Sequence, residues 1–293
     1  MTDLVCFGEL LWDIYPDKKT KKIKKKIGGA PFNVAALASV KGIKTTMITA
    51  VGKDEDGQKI CAAASKKVVL ICQENEHPTG YATVKLDTEK TPTFEIGNNA
   101  AFDYIRINET INRVCSQAKF FCFGTLAQRN DVSRKTLQRI LGVTLAVKIY
   151  DVNYRDGINK WQSICTESIQ NADILKVNEE ELKLLKTLYK STRSDNAFIS
   201  NLIKHYGLQY VFVTKGDKGA SLYTEKKILH KSAVKIDVVD TTGCGDAFTA
   251  GIVYGFCNNF DDEHILECAV TLAAKIAGLK GAVPDNKEYL AQL

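Results

Sequence analysis

At 293 residues, 45% hydrophobic and 25% charged, the chain has the make-up of a folded protein with a sizeable core, which excludes a disordered or fibrous one. The net charge of +6 does not mark a nucleic-acid binder: seven lysines with no acid among them lie between Lys18 and Lys26, and without them the rest of the chain stands at −1. Nine cysteines without CxxC or zinc-finger spacing, Cys6, Cys122 and Cys268 in apolar runs, fit free buried thiols, and no stretch of about eighteen apolar residues occurs to cross a membrane. The expectation is a soluble cytoplasmic protein with no nucleic-acid or membrane partner, its lysine cluster a solvated loop or a lure for anionic substrates.

Leu4 to Gly8 reads as a short apolar strand, LVCFG, and Asp13 follows among large apolar residues, either a strand-end turn former or a ligand group. In IGGAPFNVAALASVKGI, Gly28 and Gly29 allow close backbone approach, Pro31 lies near a helix start, and Val34, Leu37 and Val40 recur at helical spacing. Asn33 at the helix entry caps it or bonds a ligand hydroxyl. Thr45 to Val51 is a strand; the turn after it, GKDEDG, lacks the Lys and Ser/Thr of a P-loop, since Gln58 and Lys59 stand there. YATVKL and TPTFEI around a DTEK turn form a hairpin, which with part of Glu9 to Ile27 makes an accessory sheet able to act as a lid.

Beyond the hairpin, strands at Lys119–Phe123, Val147–Val152, Ile174–Val177 and Tyr210–Val213 alternate with helices at Ser133–Leu141, Trp161–Gln170, Glu179–Tyr189 and Ala197–Tyr206. A second hairpin covers Gly219 to Lys235, and helices fill about Asp261 to Ala277. Repeated strand–helix units predict an α/β fold of three layers with a mainly parallel central sheet. One unit over residues 1–293 is expected, with a lid from about residues 10–28 and 78–104. Ligands of such sheets sit at the strands' carboxyl ends, where the chain places Asn153 and Arg155, Asn178 and Glu181, Thr214 to Gly219, and Asp240 to Asp246.

The last of these groups is the most telling. In DVVDTTGCGDAFTAGIVYGF, Asp237 to Phe256, the β-branched alternation of a strand end leads through Gly243, Cys244 and Gly245 into a helix rich in small residues. Such a turn exposes N–H groups at the positive end of the helix dipole, an anion site. Asp246 is either a first-turn acid that complements the dipole or a base set beside a bound phosphate.

GGAPFNVA, DVNYR, NEEE and VDTTGCGDAFTAG, in this order and spacing, resemble the PfkB, or ribokinase-like, carbohydrate kinases over nearly the whole chain, and GELLWD, GGAPFNVA, FGTLAQR and DVNYR are most similar to the fructokinases among them. The resemblance implies a ribokinase-like fold and transfer of the γ-phosphoryl group of ATP to D-fructose, giving fructose 6-phosphate and ADP. It implies Asp246 as general base beside an anion hole from Gly243, Cys244 and Gly245, and sugar contacts from Asp13, Gly28, Gly29, Asn33, Phe102 and Arg155. It further implies a nucleotide side of Asn178, Thr214, Lys215, Gly216, Gly219 and Gly281, magnesium at Glu181 through water, and potassium at Asp240 and Thr242. A monomer or a homodimer that binds a small-molecule sugar and ATP is expected. Cys244 stands where alanine is usual and exposes the anion loop to oxidation.

A 2-keto-3-deoxygluconate kinase or a ribokinase is the nearest alternative, and a non-catalytic sugar or nucleotide sensor the alternative of another class. A dehydrogenase is disfavoured, because GCGDAF lacks the third glycine of a dinucleotide fingerprint and lies near the C-terminal end of the chain.

Overall fold

Short apolar runs such as LVCF and FFCFG, too brief for helices, become the central strands of the computed structural model, which describes residues 2–16, 23–86 and 92–284. The strands are β1 (Leu4–Phe7), β2 (Leu11–Pro16), β3 (Ile23–Gly28), β4 (Thr45–Gly52), β5 (Val69–Asn75), β6 (Gly80–Leu86), β7 (Pro92–Ile96), β8 (Phe120–Gly124), β9 (Val147–Asp151), β10 (Ile174–Asn178), β11 (Tyr210–Thr214), β12 (Ala220–Tyr223) and β13 (Ile228–Lys231). The helices are α1 (Ala30–Val40), α2 (Glu55–Ala64), α3 (Glu109–Gln117), α4 (Asp131–Leu141), α5 (Trp161–Asn171), α6 (Glu179–Leu188), α7 (Asp195–Tyr206), α8 (Cys244–Cys257) and α9 (Asp262–Ala277).

Among the described residues, nine strands form one sheet in the order β13-β12-β11-β10-β9-β8-β1-β4-β5. The pairings from β11 to β5 are parallel, and the β12–β13 hairpin adds an antiparallel edge. Successive residues point to opposite faces. Val5, Phe7, Phe121, Phe123, Leu175 and Val177 therefore pack with α3 to α7, and Leu4, Cys6, Phe120, Cys122 and Ile174 with α1, α2, α8 and α9. These are the three layers expected from the strand–helix rhythm.

A second, four-stranded sheet has the order β3-β2-β6-β7. It brings together the two segments expected to form an accessory sheet. Trp12 Nε1 donates to the Asp56 carbonyl (3.1 Å) and Lys25 pairs with Asp56 (2.6 Å), so the small sheet rests on the start of α2. The pair is half-exposed and contributes little, at most about 1 kcal/mol.

Several expectations are corrected. Lys24 to Lys26 lie on β3 rather than in a loop, while Lys18, Lys19, Lys21, Lys22 and the DTEK turn fall outside the described residues. The second half of GKDEDG opens α2, whose N-cap Asp54 accepts from the Gly57 N–H (2.7 Å); α3 and β5 were not anticipated either. Asp237 to Val239 is not a strand. The backbone N–H groups of Val239 and Asp240 both donate to the Ala277 carbonyl at the end of α9 (2.8 and 3.1 Å), and Val238 and Val239 are exposed. The alternation there turns Ile236 and Val238 into a slot between chain segments instead of a sheet.

Candidate active site

The carboxyl ends of β9, β10 and β11, the start of α8 and the inner face of the small sheet enclose a cleft of about 470 Å³. Leu11, Asp13, Ala82 and Ile96 line it from the small sheet, and Asn153, Arg155, Asn178, Thr214 and Gly243 from the large one. A second cavity of about 470 Å³, walled by Val234, Ile236, Val238, Phe248, Val270 and Ala273, adjoins it. Thr214, Gly216, Thr241 and Gly245 line both, so the two meet at the N-terminus of α8.

Among the described residues, six helices carry a side-chain N-cap, on Asp54, Asn108, Asn130, Asn178, Ser194 and Asp261. Both α1 and α8 open into the cleft with glycine N-caps and no capping side chain. Gly243, the cap of α8, has φ +81°, and a Cβ there would lie 2.5 Å from that of Ala282, so only glycine makes this turn. First-turn N–H groups without a side-chain partner form an anion site.

Asp246 lies in this first turn, half-buried, its Oδ2 accepting a hydrogen bond from Asn33 Nδ2 (2.8 Å) across 213 residues of sequence. Burial pushes its carboxyl up to about 7; the Asn33 bond opposes this, Asp151 adds to it, and Lys176 and Arg155 oppose it. A carboxylate near neutrality suits a general base. Asn33 thus neither caps α1 nor spends its whole amide on Asp246: its buried Oδ1 has no hydrogen-bond partner among the described residues.

Asp13, on β2, has its carboxyl raised to about 7 by burial and by the Asp246 charge, against Arg155 and Lys26. Its carboxylate fills the space over Gly28, where a Cβ would lie 2.3 Å from Oδ2. Gly28 itself does not line the cleft; Gly29 does. Replacing Gly28 with alanine is expected to displace Asp13 and raise the acceptor KM by about tenfold or more with the nucleotide KM unchanged, read by steady-state kinetics.

Glu9 also lines the cleft, 4% exposed, its carboxyl raised to about 7 chiefly by burial. Glu9, Asp13 and Asp246 therefore share one sign rule. With folded values near 7 and unfolded values near 4, the native state keeps protons that the unfolded chain releases, so stability falls as pH rises through that window. The Tm of the ligand-free protein should drop between pH 5 and 7.5, and scanning fluorimetry should find the drop smaller in Asp246→Asn.

On the large-sheet side, Asn178 and Glu181 form a capping box on α6. Asn178 Oδ1 accepts from the Glu181 N–H (2.8 Å), and Glu181 accepts from the Asn178 N–H (2.8 Å) and the Tyr154 N–H (2.9 Å). Both still line the cleft, and burial raises the Glu181 carboxyl. Beneath them Lys176 Nζ bonds Asp151 Oδ1 (3.0 Å), with Thr249 Oγ1 donating to Asp151 Oδ2 (3.0 Å). Burial pulls the ammonium down, but Asp151 and Glu181 outweigh it and the net shift is upward. A Cβ on Gly245 would lie 3.0 Å from Lys176 Nζ, which sets a buried positive charge against the anion loop.

The remaining predicted residues divide between the two cavities and positions outside them. Phe102 is fully buried behind the small sheet under the Arg129 guanidinium (4.9 Å), and Leu11, Ala82, Ile96 and Leu126 provide the apolar lining instead. Lys215 turns away to Ser221 Oγ (2.7 Å), while Thr214 and Gly216 line both cavities and Gly219 the apolar one. Gly281 does not line the apolar cavity; its N–H donates to Asp240 Oδ2 (2.9 Å), and Asp240 Oδ1 accepts from the Thr242 N–H (2.9 Å). Arg155 lines the cleft, its Nη1 donating to the Tyr154 carbonyl (2.8 Å). Burial pushes the Cys244 thiol up to about 12, so at neutral pH it is not the thiolate that oxidation requires. Sequence reasoning passed over Glu9, Asp151 and Lys176, although a lone lysine inside ILKVN, an otherwise apolar buried strand, is a usable signal.

Among the described residues no helix is long and apolar enough to cross a membrane. The chain is 29% identical to the probable fructokinase-6, chloroplastic, of Arabidopsis thaliana, over 96% of this chain and 79% of that protein. The fold superposes on an uncharacterized sugar kinase from Pyrococcus horikoshii in complex with ATP (TM-score 0.83, 26% identity, 99% of this chain and 97% of that one). It also superposes on a Vibrio cholerae fructokinase double mutant bound to fructose, ADP and potassium (TM-score 0.82, 23% identity, 100% and 98%). The sequence pattern of the pfkB family carbohydrate kinases matches residues 1–288, and the chain belongs to that family of sugar kinases.

Proposed function

We propose that this kinase transfers the γ-phosphoryl group of ATP to a hydroxyl of D-fructose, giving fructose 6-phosphate and ADP. The observation that carries the reading is Asp246: a half-buried carboxyl near neutrality, held by Asn33, in the first turn of an uncapped helix where two cavities meet. The acceptor occupies the polar cleft, with Asp13, Asn33, Gly29 and Arg155 about its hydroxyls. The adenine occupies the apolar cavity of Val234, Ile236 and Val238, and its phosphates reach the junction at Gly216, Thr241 and Gly245.

Asp246 takes the hydroxyl proton as the oxygen attacks phosphorus. The α8 N–H groups and the Lys176 ammonium stabilise charge on the transferring group, and one such donor is typically worth about 3 kcal/mol. The small sheet acts as a lid that keeps out water, the competing nucleophile.

The donor set near Glu181 is all oxygen, which suits magnesium. Both Glu181 oxygens already accept backbone N–H groups, and among the described residues no three His, Cys, Asp or Glu side chains converge on one point. Magnesium would be held by Glu181 through water together with the phosphates, and when bound it neutralises phosphate charge. Asp240, which stitches the Thr242 and Gly281 N–H groups together, gives the neighbouring loops an anionic, oxygen-rich setting compatible with potassium.

The fructokinase relative favours fructose over 2-keto-3-deoxygluconate or ribose. An ADP-release assay over a sugar panel tests this: the highest kcat/KM should fall on fructose. Turnover of another sugar without fructose turnover refutes the substrate, and ATP-binding without any turnover refutes the enzyme.

A further inference from the structure

Glu9 follows β1, where the chain turns toward the small sheet, and is unusual for a glutamate in being 4% exposed. The backbone N–H groups of Glu9 and of Ala30, the first residue of α1, lie close enough to its carboxyl to favour the ionised form. Glu9 thereby sets an anion at the positive end of this helix. That structural duty uses only part of the group, because Oε2 is buried and has no hydrogen-bond partner among the described residues. The same is true of Asn33 Oδ1, whose own Nδ2 is committed to Asp246. Both residues line the acceptor cleft.

Two buried acceptors without donors in one polar cleft are costly unless a ligand supplies the hydrogens. Hydroxyl groups do so; a carboxylate cannot. The charges point the same way. Glu9, Asp13 and Asp246 are three of the acids lining the cleft, with Glu179, Glu180 and Glu181 on the large-sheet side, and the Arg155 guanidinium acts on the first three. The Lys176 ammonium is paired with Asp151. A further carboxylate, brought by a sugar acid, would meet net negative charge in a desolvated pocket.

We propose that Glu9 is a specificity-determining residue of the acceptor cleft. Its Oε2, together with Asn33 Oδ1, accepts hydroxyl hydrogens of an uncharged sugar and disfavours an acceptor that carries its own carboxylate. The inference rests on the assignment of this cleft to the sugar.

The test compares wild type, Glu9→Gln and Glu9→Asp with D-fructose, its monodeoxy analogues, D-ribose and 2-keto-3-deoxy-D-gluconate, by ADP release and by scanning fluorimetry. Glutamine keeps the volume and an acceptor for the α1 N–H; aspartate keeps the charge but withdraws it. Wild type should prefer the best neutral sugar over the sugar acid by about a hundredfold or more. Glu9→Gln should raise the KM of that neutral sugar by about tenfold to a hundredfold, leave the ATP KM unchanged and narrow the preference by about tenfold. Glu9→Asp should raise the sugar KM in the same way. One monodeoxy analogue that is poor on wild type should lose little further on Glu9→Gln.

Unchanged kinetics across the panel overturn the proposal. So does an equal loss for every acceptor together with a lowered Tm, which marks Glu9 as a helix cap only. Failure of the fructose reading appears separately, in wild type, as no turnover of fructose; the Glu9 comparison then runs on whichever panel sugar is turned over. If wild type turns over none and calorimetry finds no sugar binding, both readings fall.

Discussion

Asp246→Asn is expected to lower kcat by at least about a hundredfold while sparing nucleotide binding. Asparagine is isosteric and can still accept the Asn33 Nδ2 bond, so the 2.8 Å link between α1 and α8 has no reason to break. The first-turn N–H groups of α8 also stay in place. Only the capacity to take a proton is lost, and the effect belongs in kcat rather than in the KM for ATP. The wild-type kcat/KM should carry an acid limb near pH 7, because Asp246 must be ionised to act and burial holds its carboxyl at about 7. That limb should be absent from the residual activity of the variant. Steady-state kinetics from pH 5.5 to 9, with nucleotide affinity measured by calorimetry, give both readings.

Lys176→Met should be the most damaging single change to the framework. Lys176 and Asp151 are 5% exposed each, and their 3.0 Å contact is a buried ion pair. Removing one partner strands a buried charge, at a cost of about 3–5 kcal/mol, a large share of the roughly 5–15 kcal/mol that holds a domain together. The activity loss should exceed what unfolding explains, since the ammonium also backs the anion loop at Gly245. The double variant Lys176→Met with Asp151→Asn separates the two roles. It removes the stranded charge yet keeps an acceptor for Thr249 Oγ1, so denaturant melts should recover most of the stability while kcat stays low.

The sequence made the centre of this site readable because tight turns and helix entries are local. Gly243, Gly245 and Asp246 lie within four positions of one another, and the physical reasons for their types, a positive φ and an uncapped helix start, are written there. The strand–helix rhythm was equally local and gave the parallel sheet. What it hid was long-range. Glu9 and Lys176 matter through residues far off in sequence, Ala30 for one and Asp151 and Gly245 for the other. Phe102, Lys215 and Gly281 were placed by resemblance at positions whose side chain or backbone turns out to serve Arg129, Ser221 and Asp240. The alternation of Asp237 to Val239 is compatible with a strand and with one wall of a slot. Only the tether to Ala277 decides between them.

The central claim is phosphoryl transfer to a sugar hydroxyl at the Asp246 site. Its most direct test is the stoichiometry of one reaction: purified protein, ATP, magnesium and D-fructose, with ADP and fructose 6-phosphate quantified together by phosphorus NMR. Equal amounts of both products, with neither above background in Asp246→Asn, are predicted. ADP formed without sugar phosphate, or sugar phosphate formed equally well by the variant, would contradict it.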